Sequence, residues 1–140
     1  MPIKLEILPH DESIHHPKRK VCILYKNDKS PVDDFIEGMQ ESNQKKFFAR
    51  IDRFHSHGDI SNTNHCAPVK GCLNLYELKL WGHRIFFFLD GELIVLTEAC
   101  IKKSNKATNI SRTAINRAEQ LKHQYFEEKD KRGVVIIDGD

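Results

Sequence analysis

The stretch L-N-L-Y-E-L-K-L-W-G-H-R-I-F-F-F-L-D-G-E-L-I-V-L-T-E-A-C-I-K-K, from Leu73 to Lys103, contains three short apolar runs separated by Trp81-Gly82 and Asp90-Gly91. Two-residue segments that end in glycine are typical of tight turns between antiparallel strands. The pattern therefore predicts a meander of three antiparallel strands, around which the rest of the chain is organised.

The two turns fix the predicted pairing of these strands. With Trp81 and Gly82 at the centre of the first turn, Leu80 pairs with His83 and Lys79 with Arg84. With Asp90 and Gly91 at the centre of the second turn, Leu89 pairs with Glu92 and Arg84 with Thr97. Because alternate residues of a strand face opposite sides, this register gives one apolar face that we expect helices to cover. That face contains Tyr76, Leu78, Leu80, Ile85, Phe87, Leu89, Ile94 and Leu96.

The second face is apolar at one end and basic at the other. Like charges directly opposite each other are destabilising, so the predicted Lys79–Arg84 pair favours an anion between them. Lys102 and Lys103 leave the sheet at the same end, with His83 beside them in the turn. We call Lys79, Arg84, Lys102 and Lys103 the basic edge. Cations at strand ends are also typical of solvated, edge-protecting residues, and spacing alone does not separate the two interpretations.

The same register makes a prediction about the core. Phe87 belongs to the face that helices cover, so Phe87→Ala is expected to cost about 3 to 5 kcal/mol. Phe86→Ala is expected to be milder if the opposite face is a partly open groove.

Length and composition limit the class of protein. The chain has 140 residues, of which 39% are hydrophobic and 30% charged, with a formal net charge of +2. These values indicate a folded protein rather than a disordered or membrane protein. No apolar run is long enough to span a bilayer, and no secretory signal is recognisable. We therefore expect a cytoplasmic protein without membrane partners.

The cysteines indicate neither a disulfide framework nor a metal site. Cys22, Cys66, Cys72 and Cys100 are few for a chain of this length and indicate reduced thiols. A zinc site is the alternative, with candidate ligands His55, His57, His65, Cys66 and Cys72. Their spacing contains no C-x2-C or H-x3-H pair, so we expect no metal and no cofactor.

Before the meander, residues 1–20 contain the strand-like run I-K-L-E-I-L and a polar segment, which together suggest an N-terminal extension or flexible arm. Residues 21–140 are predicted to form a single domain that begins with a strand over 21–26. A helix capped by Ser30 follows, and a second helix capped by Ser42 or Asn43 forms a hairpin with the first. The second helix carries its apolar stripe at Phe47, Phe48, Ile51 and Phe54.

After the helical hairpin, residues 59–71 are predicted to be a polar loop. A third helix is predicted over 109–129, followed by a short strand over 134–137. One face of this helix carries Ala114, Ala118, Leu121 and Tyr125. The predicted fold class is α+β, with a small antiparallel sheet (the meander plus the strand at 21–26) packed against a helical hairpin, and a C-terminal helix.

The order of these elements, together with five segments, resembles the RelE/ParE toxin superfamily, and within it the phage Gp49-like, HigB-type branch. The segments are C-I-L-Y-K-N-D-K-S-P-V-D-D-F-I (22–36), F-F-A-R-I-D-R-F-H-S-H-G (47–58), V-K-G-C-L-N-L-Y-E-L-K (69–79), H-R-I-F-F-F (83–88) and K-K-S-N-K (102–106). The resemblance covers about residues 21–128. Lys79, Cys100 and Thr108 depart from the residues common in that family.

The resemblance implies a RelE-like fold and the toxin of a type II toxin–antitoxin system that cleaves mRNA on the ribosome. Metal-independent cleavage by 2′-hydroxyl attack needs cations for the phosphorane charge and groups that exchange protons. Arg84 suits the role of phosphate clamp, with Lys79, Lys102 and Lys103 adding charge and His83 as a candidate proton carrier. Candidates for binding flanking RNA phosphates are Lys70, Lys106 and Arg112.

The implied partner is a helix-turn-helix antitoxin that forms a hetero-oligomer with the toxin and covers or occludes the basic edge. Two alternatives remain open. One is a non-catalytic homologue that binds only antitoxin or nucleic acid, and the other is a ParE-like inhibitor of DNA gyrase.

Overall fold

The structure, a computed structural model, describes residues 3–57, 65–80, 82–101 and 109–138. It confirms the α+β class, with three helices and a seven-stranded sheet in the described part of the chain. The strands are β1 (Ile3–Ile7), β2 (Lys20–Lys26), β3 (Cys66–Pro68), β4 (Tyr76–Leu80), β5 (His83–Asp90), β6 (Leu93–Ile101) and β7 (Val135–Asp138). The helices are α1 (Pro31–Glu37), α2 (Glu41–His57) and α3 (Asn109–Lys131). None of the described helices is long and apolar enough to cross a membrane.

The strands are arranged in the order β3-β4-β5-β6-β2-β1-β7. Neighbours are antiparallel except for β2 with β6 and β1 with β7, which are parallel, so the sheet is mixed and larger than predicted. The strand-like run near the N-terminus is confirmed as β1, and its Leu5 is completely buried. This strand is therefore part of the sheet and not a flexible arm. The independence of residues 21–140 as a domain stays a prediction.

The predicted first hairpin of the meander is confirmed, and the predicted register of the second hairpin is wrong. Lys79 pairs with Arg84 as predicted, but Asp90 pairs with Leu93, so the central residues of the second turn are Gly91 and Glu92. Gly91 has φ of 59°, a left-handed conformation that glycine adopts without a steric penalty.

A β-bulge between β5 and β6 makes a second difference from the predicted register. The pairing shifts between Phe86 and Phe87, so Arg84 lies opposite Cys100 and not Thr97. Thr97 is the extra residue of the bulge, and its buried hydroxyl donates to the carbonyl oxygen of Phe86 at 2.9 Å. Because one residue is inserted, the residues of β6 after Thr97 exchange faces relative to a regular strand.

Helices α1 and α2 cover one face of the sheet, which we call the α1–α2 face. All eight residues predicted for the helix-covered face belong to or pack against its core cluster. The predicted cap is confirmed, since the Ser30 hydroxyl accepts a hydrogen bond from the Asp33 N–H at 3.2 Å. Helix α2 begins at Glu41, slightly before the predicted Ser42 or Asn43 cap. Phe48 is 38% exposed and does not join the predicted stripe in the core.

Helix α3 covers the other face, which we call the α3 face. Its small residues Ala114 and Ala118 lie against Phe86, and its Tyr125 lies against Phe88. Phe86 is 1% exposed, so the predicted open groove is absent at that position. The C-terminal half of α3 is held by Asp90, which accepts hydrogen bonds from Tyr125 Oη and Lys129 Nζ, both at 2.7 Å.

The predicted polar loop at 59–71 also contains structure. Residues 66–68 form β3, an edge strand that pairs with β4. Its Pro68 lacks a backbone donor, and proline is tolerated in sheets chiefly on edge strands such as this one.

Candidate nucleic-acid interface

Lys79 and Arg84 lie directly opposite each other near the β4–β5 turn. The backbone N–H of Lys79 donates to the carbonyl of His65 at 2.7 Å, and its carbonyl accepts a hydrogen bond from Arg50 Nη1 on α2. Arg84 Nη1 donates to the carbonyl of His83 at 2.8 Å. Both side chains are half-buried. The pairing of β4 with β5 therefore places Lys79 and Arg84 opposite each other, as the first turn predicted.

His83 lies on the opposite side of the sheet from the Arg84 side chain. It pairs with Leu80 and faces the α1–α2 side, where its ring contacts the edge of Phe35 with centroids 5.2 Å apart. A cavity of about 530 Å³ adjoins it, lined also by Met39 and Ile101. Its Nδ1 is buried and has no hydrogen-bond partner among the described residues. The prediction that placed His83 beside the cations therefore needs correction, because neighbouring residues of a strand face opposite sides.

The lysines that complete the predicted basic edge, Lys102 and Lys103, lie outside the described residues, as does Lys106. Strand β6 ends at Ile101, which pairs with His83. The chain therefore leaves the sheet at the end where Lys79 and Arg84 lie.

Lys70 lies in the β3–β4 loop and Arg112 in the first turns of α3, and their role beside the Lys79–Arg84 pair stays a prediction. Lys70 is exposed in the β3–β4 loop, next to Val69, whose N–H donates to the Leu75 carbonyl at 2.8 Å. That loop meets β4 at Tyr76, about 10 Å along the strand from Lys79 at the usual rise per residue. Arg112 is exposed in the first turns of α3.

The charge of Arg112 nevertheless acts on the loop that carries Lys70. Burial raises the pKa of the Cys72 thiol, Glu119 adds to this effect, and Lys122 and Arg112 oppose it. Arg112 therefore lies within electrostatic reach of the β3–β4 loop.

Glu98 is a residue near the candidate site that sequence reasoning missed. It pairs with Phe86 and faces α3, and it is only 6% exposed. Burial raises the pKa of its carboxyl, while the Ala99 N–H and Arg117 partly oppose that shift. From standard sheet spacings, the Cα atoms of Glu98 and Arg84 are roughly 8 Å apart. Glu98 is the one charged residue between Leu93 and Ile101, and this isolation in an apolar strand is a signal that the sequence offered.

Two of the residues considered for zinc, Cys66 and Cys72, belong to different clusters of the structure. Cys66 lies in the α1–α2 core and Cys72 packs against the α3 cluster. His55 Nε2 accepts a hydrogen bond from the Val21 N–H at 3.1 Å, which occupies that nitrogen. Within the described ranges no group of three His, Cys, Asp or Glu side chains is arranged to hold a metal ion. All four cysteines are free thiols.

Comparison with known proteins identifies the family. No curated protein matches the sequence. The model of the family described as phage-derived protein Gp49-like (DUF891) matches residues 34–123, which is more than half of the chain. The matched segment runs from α1 into α3 and includes the Lys79–Arg84 pair and Glu98. This family is associated with toxin–antitoxin systems, which implies a toxin-type protein with an antitoxin partner. The chain belongs to the Gp49-like family of phage-derived proteins.

Proposed function

We propose that the chain is the toxin of a type II toxin–antitoxin pair and cleaves mRNA on the ribosome without a metal ion. The observation that carries this proposal is the direct opposition of Lys79 and Arg84 on neighbouring strands. Two half-buried cations so placed repel each other, at a cost of some tenths of a kcal/mol. A phosphate between them removes this cost and gains two charge-assisted contacts.

The reaction needs only groups that the basic edge supplies or adjoins. The 2′-hydroxyl of the RNA forms a bond to the neighbouring phosphorus, and the bond from phosphorus to the 5′-oxygen breaks, which leaves a 2′,3′-cyclic phosphate. Arg84 can hold two phosphate oxygens at once through its planar guanidinium group. Lys79, Lys102 and Lys103 would stabilise the charge that develops on the phosphorane.

Proton transfer needs a further group, for which His83 is our candidate because histidine ordinarily exchanges protons near neutral pH. Its ring faces the α1–α2 side next to the β4–β5 turn, so this role requires the RNA to pass around that turn from the side of Arg84. We assign Lys70, Lys106 and Arg112 to phosphates outside the cleaved step, since lysine and arginine bind the backbone without reading sequence.

The proposed partner in the resting state is a helix-turn-helix antitoxin. It would form a hetero-oligomer with the toxin and neutralise it by covering or occluding the basic edge. An interface there would place acidic antitoxin residues against Lys79 and Arg84, because complementary charges favour association.

The test is a growth assay combined with mRNA analysis after expression of each variant without the antitoxin. Arg84→Ala is expected to lower cleavage about 10²- to 10³-fold, or about 2.7 to 4 kcal/mol of barrier, without unfolding the protein. Arg84→Lys should recover only part of the activity. Arg132→Ala is the matched control, because Arg132 is an exposed arginine that pairs with Glu128 near the far end of α3.

The other outcomes separate the alternatives. An Arg84→Ala protein that melts normally and remains fully toxic overturns the proposed site. Growth arrest with intact mRNA and altered supercoiling would indicate a ParE-like gyrase inhibitor. Antitoxin binding without toxicity would indicate a non-catalytic homologue. EDTA should leave cleavage unchanged. His83→Gln tests the proton carrier, since a loss as large as that of Arg84→Ala would support this role.

A further inference from the structure

A cavity of about 260 Å³ lies between α3 and the sheet, on the same side of the sheet as Arg84. Its apolar walls are Leu24 of β2 and Leu121 of α3, and polar groups line the remainder. Apolar walls with a few convergent polar groups are typical of small-molecule sites. The arrangement of those polar groups therefore indicates the chemistry of the ligand.

The inner part of the cavity presents hydrogen-bond acceptors. Glu98 is nine-tenths buried, and its Oε1 accepts a hydrogen bond from the Ala99 N–H at 3.3 Å. Gln124 Oε1 is buried without a hydrogen-bond partner in the part of the chain that the structure describes. A buried acceptor without a donor is unfavourable. A ligand with adjacent N–H groups would satisfy both side chains.

The outer part of the cavity presents cations. Lys26 and Lys29 are directly opposed across a two-residue turn, in which Asn27 and Asp28 have left-handed φ values of 53° and 63°. Directly opposed residues of an antiparallel pair point to the same side, so both lysine side chains leave the turn on the side of the cavity. Arg117 of α3 is the third cation on the lining. Within the described ranges, none of these three cations is in an ion pair. Opposed lysines are favourable where an anion lies between them.

Acceptors inside and cations outside match a guanine nucleotide. We propose that this cavity binds a guanosine 5′-phosphate group, with the base on Glu98 and Gln124 and the phosphate on Lys26, Lys29 and Arg117. The Watson–Crick edge of guanine presents two adjacent donors, N1–H and the N2 amino group, which one carboxylate can accept together. The corresponding edges of adenine and cytosine each place a ring acceptor beside the amino group, and that acceptor would face the carboxylate. An arginine side chain from a protein partner would satisfy the acceptors but would meet three cations on the way in.

The guanosine can belong to RNA or to a free nucleotide. Glu98 lies roughly 8 Å from Arg84 between Cα atoms, so an RNA guanosine bound here would adjoin the phosphate held by the basic edge. Proteins that bind single-stranded RNA commonly hold splayed bases by their Watson–Crick edges. The RNA source rests on the proposed function, whereas binding of the nucleotide itself does not.

In the first experiment the full chain is titrated with 5′-GMP, 5′-AMP, guanosine and inorganic phosphate, and the affinity for each is measured by calorimetry. We expect 5′-GMP to bind roughly 5- to 150-fold more tightly than 5′-AMP, the range for one bidentate base contact. Glu98→Gln, which keeps the shape but replaces an acceptor by a donor, should remove this preference without lowering the melting temperature. Lys26→Ala should weaken the binding of 5′-GMP but not the binding of guanosine. Lys45→Ala is the matched control, since Lys45 is an exposed lysine on α2 paired with Glu41.

Equal affinity for 5′-GMP and 5′-AMP, or a preference unchanged by Glu98→Gln, would overturn the assignment of the base. If inorganic phosphate binds as tightly as 5′-GMP, the cavity is only an anion site. If an arginine peptide binds more tightly than 5′-GMP, the cavity binds a protein partner. Either result refutes the proposal. Mapping of mRNA cuts distinguishes the two sources: a guanosine preference lost in Glu98→Gln supports RNA, and cuts without that preference support a free nucleotide. If the chain binds 5′-GMP but does not cleave mRNA, the proposed function is refuted and the proposed nucleotide site is still supported.

Discussion

Phe86→Ala should destabilise the protein as much as Phe87→Ala, although the two side chains face opposite sides of the sheet. Phe86 is 1% exposed beneath α3, and Phe87 is completely buried beneath α1 and α2. Truncation of a buried phenylalanine removes its transfer free energy and leaves a cavity, which together cost about 3 to 5 kcal/mol. The small side chains of Ala114 and Ala118 above Phe86 cannot extend to fill such a cavity.

The measurement is urea unfolding followed by circular dichroism. With a slope of about 2 kcal/mol per molar urea, each variant should unfold at a midpoint about 1.5 to 2.5 M below that of the wild type. Phe48→Ala is the matched control, because Phe48 is 38% exposed on α2 and its truncation should cost less than about 1.5 kcal/mol. If Phe86→Ala costs no more than Phe48→Ala, α3 does not cover the face of the sheet that carries Phe86. The cavity proposed to bind guanosine would then lack the wall that α3 provides.

Two further predictions concern pH. Burial lowers the pKa of His55, with His10 adding to this effect and Asp52 opposing it. The unfolded chain therefore takes up this proton first, so stability should decrease as pH falls below about 6.5, by at most about 1.4 kcal/mol per pH unit. Denaturant titrations of the wild type and of His55→Gln should show a flatter profile in the variant; identical profiles would contradict the assignment. Burial alone would raise the pKa of Asp90, but its hydrogen bonds to Lys129 and Tyr125 outweigh this and lower it. Asp90→Asn should cost about 1.5 to 3 kcal/mol at neutral pH, and the difference from the wild type should shrink below about pH 4. A difference that persists at pH 3 would mean that the carboxylate charge is not what holds α3.

The α1–α2 face was predictable because it depends only on alternation. The sequence placed the second turn one residue too early, which shifted the β5–β6 pairing by two residues. A shift of two leaves every side chain on its own side of the sheet, so Ile94 and Leu96 were assigned correctly despite wrong partners. The bulge at Thr97 has no comparable signal, since threonine fits a regular strand equally well. Regular alternation without the bulge assigns Glu98 to the α1–α2 face, so the sequence alone could not predict that Glu98 shares a face with Arg84.

The candidate site was predictable in part for the same reasons. The Lys79–Arg84 pair follows from the first turn alone. The same register pairs His83 with Leu80, so the separation of His83 from Arg84 also follows from alternation. The apolar stripe of α3 was visible at Ala114 and Ala118, but a stripe does not indicate which face of a sheet it covers. The cavity between α3 and β2 depends on that choice and was therefore beyond the sequence.

The position of β1 between β2 and β7 determines when the protein can finish folding during its own synthesis. Strand β7 pairs with a segment made about 130 residues earlier, and the centre of the sheet closes only when β6 reaches β2. At about 5 to 20 residues per second, the ribosome needs roughly 4 to 15 s to make the chain between β2 and the end of β6. During that interval the apolar residues of β1 and β2 have no sheet to join other than their own hairpin. Such late-closing contacts make folding slow, so a partner that binds the nascent chain has seconds in which to reach it before the sheet is complete.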